Sequence, residues 1–353
     1  MHAPSASKLS FRSLVAFALT STAYLHAPTV QAADAPIVVQ PVPVTQEGRF
    51  FPGIGNEGFV ITRFTVKADG TTDDIEVVGG FTNPFWERPI SEAVAKWTYT
   101  PGTVDGVPAD FLNQEYIFRP KISPTLASSP DFQEEYKKLD EQVQAGEIDA
   151  AIRRIDGTFR EHIHTVLDYA VAQYTLSRLH LQKGDPFAAL AAVQKTTMSS
   201  INEAGEIEYM LTPDLLEGAL RQQLVLSSGI HQEGEVLRSW ELLDALYDIP
   251  AGDKLHELVS NARAKVESTD PLPALAKILD GEKFVTYRPV HRIFTVTDVM
   301  GELKTITARC EHRNLELEYQ DGVDWTLPPA LGTCVLDFAG DDNTTFTIYE
   351  FRE

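Results

Sequence analysis

The stretch from Gly58 to Val66 restricts the fold more than any other part of the chain, because its side chains alternate. Val60, Thr62, Phe64 and Val66 fall on one side, and Phe59, Ile61, Arg63 and Thr65 on the other. Period two with β-branched and aromatic residues is the pattern of a pleated strand. Asp69-Gly70 follows as a hairpin turn signal, with Asp74 to Val78 as the return strand. From Pro84 the period changes. Ile90, Ala93, Val94 and Trp97 fall at i, i+3, i+4 and i+7, one face of a helix. Pro101 prevents that helix from running far. Asp105-Gly106 marks another turn, and Gln114 to Arg119 reads as a last strand. The order predicts a β-β-α-β unit with Trp97 and Tyr99 in its core.

Those same residues resemble a known family. Gly58-Phe-Val-Ile-Thr-Arg-Phe-Thr-Val-Lys-Ala-Asp-Gly70, Ile75-Glu-Val-Val78, Ala93-Val-Ala-Lys-Trp-Thr-Tyr-Thr-Pro101 and Asp105-Gly-Val-Pro108 are similar, in order, to the C-terminal domain of TonB-type proteins. The resemblance covers residues 51–120, about 70 of 353. It implies docking by addition of a partner's strand to a sheet edge, here along Gln114, Tyr116 and Phe118. The family is energised through an N-terminal transmembrane helix and carries a long periplasm-spanning linker. This chain departs from it, with a brief proline linker and Phe51-Pro52 where the family usually has Tyr-Pro.

The middle segment, residues 131–270, reads as helical with an internal echo. Ser177, His180, Gly184, Ala189 and Val193 match the offsets of a tetratricopeptide hairpin, where small residues let two helices approach. Leu139, Gly146, Ala151 and Ile155 form an earlier copy, and Leu215 to Leu246 a weaker third with a break near Gly229 to Gly234. A tetratricopeptide-like array and an irregular helical bundle both fit this pattern. Only the array would offer a concave groove for an extended peptide. Residues 281–353 return to period two, with strands at Arg292 to Asp298, Glu302 to Cys310, Asn314 to Tyr319, Gly332 to Phe338 and Thr344 to Phe351. They predict a small antiparallel sandwich or barrel.

The first residues predict export. Lys8 and Arg12 form a basic leader, Leu14 to Leu25 an apolar run, and Val30-Gln31-Ala32 a small-residue site for cleavage between Ala32 and Ala33. A spanning helix needs about 20 apolar residues, and this run is shorter and broken by Thr and Ser; an uncleaved anchor is the other reading. Residues 33–50 read as a linker, and no later stretch approaches spanning length, so the mature chain is expected to be soluble. Cys310 and Cys334, the only cysteines, are expected to form one disulfide in an oxidising compartment. The charge of −21 becomes −23 once Lys8 and Arg12 leave with the signal. Such a chain repels phosphate backbones and anionic lipid, so neither nucleic acid nor an anionic membrane surface is expected as partner.

Motifs for chemistry are weak. Gly53-Ile-Gly-Asn-Glu-Gly58 spells a dinucleotide fingerprint, but it opens a strand rather than a helix and so lacks the amides and dipole that hold pyrophosphate. Glu161, His162, His164 and Asp168 could be taken for metal ligands; a solvated surface group is the better reading. His256-Glu257 and Glu311-His312 are mere neighbours in sequence. There is no nucleophile elbow, Walker loop or H-E-x-x-H. The sequence thus predicts a multidomain α+β protein with a signal peptide (1–32), a TonB C-terminal-like domain (51–122), the helical region and the disulfide-closed β domain. Its expected role is binding protein partners in the envelope, an outer-membrane transporter among the candidates, without cofactor, catalysis or its own energy transduction. A membrane-anchored TonB-type transducer and an envelope enzyme with an unrecognised site are the alternatives. No oligomeric state is specified.

Overall fold

The computed structural model describes residues 37–46, 57–81, 86–119, 126–201 and 207–352. The leader, the cleavage site at Ala32 and Ala33, and Gly53 to Asn56 of the glycine motif lie outside the described residues. Two short strands, β1 (Val38–Val39) and β2 (Val42–Thr45), come first, inside the stretch expected to be a linker. Then β3 (Phe59–Val66) and β4 (Thr72–Phe81) form the hairpin, and α1 (Glu87–Val94) follows. The segment closes with β5 (Thr98–Thr100), β6 (Thr103–Val104), β7 (Val107–Pro108) and β8 (Phe111–Phe118). One antiparallel sheet has the order β4-β3-β8. β2 pairs with β5, while β1 pairs with β6 and β6 with β7.

Both sides of the β3 alternation are filled. Val60, Phe64 and Val66 join Ile90 and Val94 of α1, with Trp97, Phe111 and Phe118, in one core. Phe59 is buried on the other side among helical residues such as Val166, Leu167 and Ala170, with Ile61, Phe81 and Ile117 packed against the same cluster. The contact is fixed at its edge by polar bonds: Glu57 N–H donates to the carbonyl of His164 (3.1 Å), and the Glu57 carboxylate accepts from Val166 N–H (3.3 Å).

The helical run comprises α2 (Pro130–Gln144), α3 (Ile148–Asp156), a 3-10 turn over Thr158–His162, α4 (Val166–Gln182) and α5 (Pro186–Gln194). A hairpin of β9 (Ser199–Ile201) and β10 (Ile207–Tyr209) precedes α6 (Pro213–Gly229), α7 (Glu233–Leu246) and α8 (Leu255–Glu267). Each helix packs against the next along the chain. The glycines of the echo, Gly146 and Gly184, have φ of 77° and 76° just after α2 and α4. That is the left-handed stop at a helix end which glycine adopts without a Cβ penalty. The Ser177 hydroxyl donates to the Ala189 carbonyl (2.6 Å), so the small residue meets its partner helix directly.

The last third holds β11 (Leu272–Lys277), β12 (Phe284–Tyr287), β13 (Ile293–Met300), β14 (Leu303–Cys310), β15 (Leu315–Glu318), β16 (Asp324–Thr326), β17 (Cys334–Gly340) and β18 (Thr345–Phe351). They form two antiparallel sheets, β11-β18-β13-β16 and β12-β17-β14-β15. One core draws Ala274, Phe294, Val296, Phe346 and Ile348 from the first and Ile306, Ala308, Leu336 and Phe338 from the second. This is sandwich packing. β11 falls between the two segments expected from sequence; Leu272, Ala274 and Ala276 alternate inward and pair with β18. It also ties the sandwich to the helices, because Leu275 N–H donates to the Ile230 carbonyl (3.0 Å) and Gln232 donates to the Leu275 carbonyl (3.1 Å). Gly234 of α7 lies so near that a Cβ there would stand 2.6 Å from Val290 Cγ1.

Cys310 and Cys334 stand opposite each other on β14 and β17 and are joined by a disulfide, with Cα atoms 4.0 Å apart. The bond closes a loop with a separation of 24 residues, for which the chain-entropy estimate is about 3 kcal/mol. Replacing both by serine is expected to lower unfolding free energy by about that amount in urea titrations. An unchanged midpoint would show that the cross-link does not constrain the unfolded chain.

Candidate partner-binding edge

β8 flanks its sheet, pairing with β3 in the register Val60 to Phe118, Ile61 to Ile117, Thr62 to Tyr116, Arg63 to Glu115 and Phe64 to Gln114. Its pleat settles where each predicted residue goes. Tyr116 and Phe118 turn toward Trp97, with ring centroids 5.0 and 5.3 Å away, and Phe64 completes the group at 5.8 Å from Trp97. Phe118 is buried, while Gln114 and Tyr116 are half-buried. β8 is the last strand of the order β4-β3-β8, and β9 packs beside it. On the opposite face Ile117 packs on the helical core, and Glu115 is exposed and paired with Arg63 (3.0 Å).

The strand is irregular at its start. Between the Phe64–Gln114 and Val66–Phe111 pairs, Leu112 and Asn113 stand against Thr65 alone, a β-bulge. Asn113 has φ of 56°, in the left-handed region that asparagine tolerates better than most residues. The bulge aims two groups away from β3. Leu112 N–H donates to the Glu311 carbonyl (2.6 Å), and the Asn113 amide donates to the Cys310 carbonyl (2.9 Å) and to Asn314 Oδ1 (2.8 Å). The His312 ring meets Phe111 edge-on with centroids 4.8 Å apart. Beyond the far end, Arg119 donates to the Tyr209 carbonyl (2.8 Å); burial lowers the pKa of its guanidinium. Beside the bulge, Lys67 and Asp110 form an ion pair that raises the lysine and lowers the aspartate from their ordinary values. Neither the bulge nor the contact with the sandwich carried a sequence signal, since the strand expected from sequence began only at Gln114, after Asn113.

The other predicted candidates are placed elsewhere. His162 Nδ1 and His164 Nε2 converge on Asp131 Oδ2, at 2.8 and 3.1 Å, and their hydrogen bonds hold that carboxyl below its usual range. Asp168 is buried and separate from them in role. It accepts from the hydroxyls of Ser128 (2.6 Å) and Ser129 (2.8 Å) and from the backbone of Ser129, His164 and Thr165, bracing the starts of α2 and α4. His256 Nε2 lies 3.2 Å from the Pro250 carbonyl, and its ring meets Trp240 edge-on with centroids 4.8 Å apart. Among the described residues, no group of three or more His, Cys, Asp or Glu side chains has the arrangement of a metal site.

The sheet, its covering helix and its flanking strand lie within a segment that matches a known family. Residues 54–119 match the family described as Gram-negative bacterial TonB protein C-terminal. This segment is a TonB C-terminal-like domain. The solution NMR structure of the Pseudomonas aeruginosa TonB CTD is 27% identical over 24% of this chain and 89% of that one, with a TM-score of 0.20. No curated protein matches the chain. Among the described residues no helix is long and apolar enough to cross a membrane.

In the TonB-like domain the aromatic group, not the charged face, should hold the sheet. Trp97→Ala is expected to cost about 3–5 kcal/mol, as truncation of a buried aromatic does. Glu115→Ala should cost under about 1 kcal/mol, since an exposed ion pair contributes little. Urea unfolding of the two variants tests this, and equal losses would refute it.

Proposed function

We propose that this chain is an exported envelope protein that takes an extended segment of a protein partner along the outer edge of β8, without energising transport itself. The observation behind this reading is that the family match falls on a sheet whose third strand lies at the flank. Strand addition takes its affinity from such backbone groups and its selectivity from neighbouring side chains. Partners are then envelope proteins, with an outer-membrane transporter among them, as in TonB-type systems. The strongly acidic chain argues against nucleic acid and anionic lipid. The leader at residues 1–32 is read as a signal peptide removed after Ala32, and the disulfide suits an oxidising compartment. The sequential pairing of α2 to α8 supports a repeat-like array offering a second contact surface.

A photo-crosslinking residue in place of Glu115, which is exposed, tests the docking in cells. Adducts with an outer-membrane transporter are the expected result, and adducts with a soluble envelope protein would assign an adaptor role. Their absence in cells holding abundant folded protein would reject edge docking. Mass spectrometry of the mature N-terminus is expected to find Ala33; a chain that keeps Leu14 to Leu25 would favour the anchored transducer.

A further inference from the structure

We infer that the turn after β14 is a gate in cis, holding part of the β8 edge closed against a partner until it is displaced. The inference rests on the edge-docking reading and adds a regulation to it. A docking strand would bond to backbone groups of β8 that face away from β3, and one of these is already taken. Leu112 N–H donates outward to the carbonyl of Glu311, the same kind of bond that an incoming strand makes. Asn113 adds two more bonds to the same turn, at Cys310 and Asn314. Residues 310–314 therefore occupy the edge at its bulge.

The turn is firm on its own side. Cys310 is tied to Cys334 by the disulfide. Glu311 N–H donates to the Thr333 carbonyl (3.1 Å), the Glu311 carboxylate accepts from Thr333 N–H (3.1 Å), and His312 N–H donates to the Leu331 carbonyl (3.2 Å). Its hold on β8 is non-covalent. Besides the three hydrogen bonds there are the ring contact of His312 with Phe111, a long 3.4 Å approach of His312 Nδ1 to the Asp110 carbonyl, and Arg309 at 3.9 Å from Glu115. The remaining ring nitrogen, His312 Nε2, is buried without a hydrogen-bond partner. Each such bond is modest on net because water replaces it on opening. A turn braced covalently on its own side and held to β8 by non-covalent contacts alone can leave as a unit and return in register.

The test uses the full-length chain with Asn113→Gly and His312→Ala together. Glycine keeps the left-handed backbone that Asn113 adopts and deletes both side-chain bonds, while the second change removes the ring. Asn113→Gly alone is the fallback if the pair fails to fold. Two readouts are taken: amide hydrogen exchange at Leu112, and adduct yield from the crosslinker at Glu115, carried by both proteins. The gate predicts exchange at Leu112 faster by about tenfold, unchanged exchange in β3, and a several-fold higher adduct yield. Unchanged exchange at Leu112, or equal yields despite faster exchange, would overturn the gate and leave edge docking intact. Faster exchange with no adduct from either protein would instead overturn edge docking, and the gate with it.

Discussion

The burial of β3 on both faces is the constraint from which the rest of this architecture follows. A three-stranded sheet with one helix covers only one of its faces, and the other must find solvent or a second layer. Here Phe59, Ile61, Phe81 and Ile117 make the second face apolar, and the helical run supplies the layer. The helices thereby complete the TonB-like core rather than trail behind it. The Glu57 bonds to the start of α4 fix where the two meet.

Once both faces are covered, the sheet's remaining boundaries are its two flanking strands, β4 and β8. Edge strands present unpaired backbone groups, and folded proteins manage them with bulges, charge or cover. β4 carries exposed Asp73, Asp74 and Glu76. β8 carries a bulge and is met by the sandwich at Leu112 and Asn113. A charged relay also crosses that junction, since Arg309 pairs with the buried Asp337 and approaches Glu115, which pairs with Arg63. The sandwich and the TonB-like domain thus meet at the strand for which edge docking is proposed, and the disulfide at Cys310 lies beside that strand. The first described strands, β1 and β2, are likewise built onto β6 and β5, so residues 37–46 are part of the fold and not a free tether.

The sequence by itself determined the local elements of the TonB-like domain and the pairing of the two cysteines. Alternation at Phe59 to Val66, the Asp69-Gly70 turn and the spacing of Ile90 and Val94 are short-range patterns, set by the two periods of backbone geometry. The family resemblance was legible for the same reason, its signatures being compact and ordered along the chain. Tertiary structure alone decided what lies between segments. In β1 and β2 Val39, Val42 and Val44 stay exposed while Val38 packs against the sheet core, and their pairing partners come from the far side of α1. His162 and His164 were legible as a spacing, but their meeting with Asp131 required the 3-10 turn to fold back on α2. The bond between Asn113 and Cys310 joins residues 197 apart. Contacts of that separation follow from how finished elements pack, and no local period encodes them.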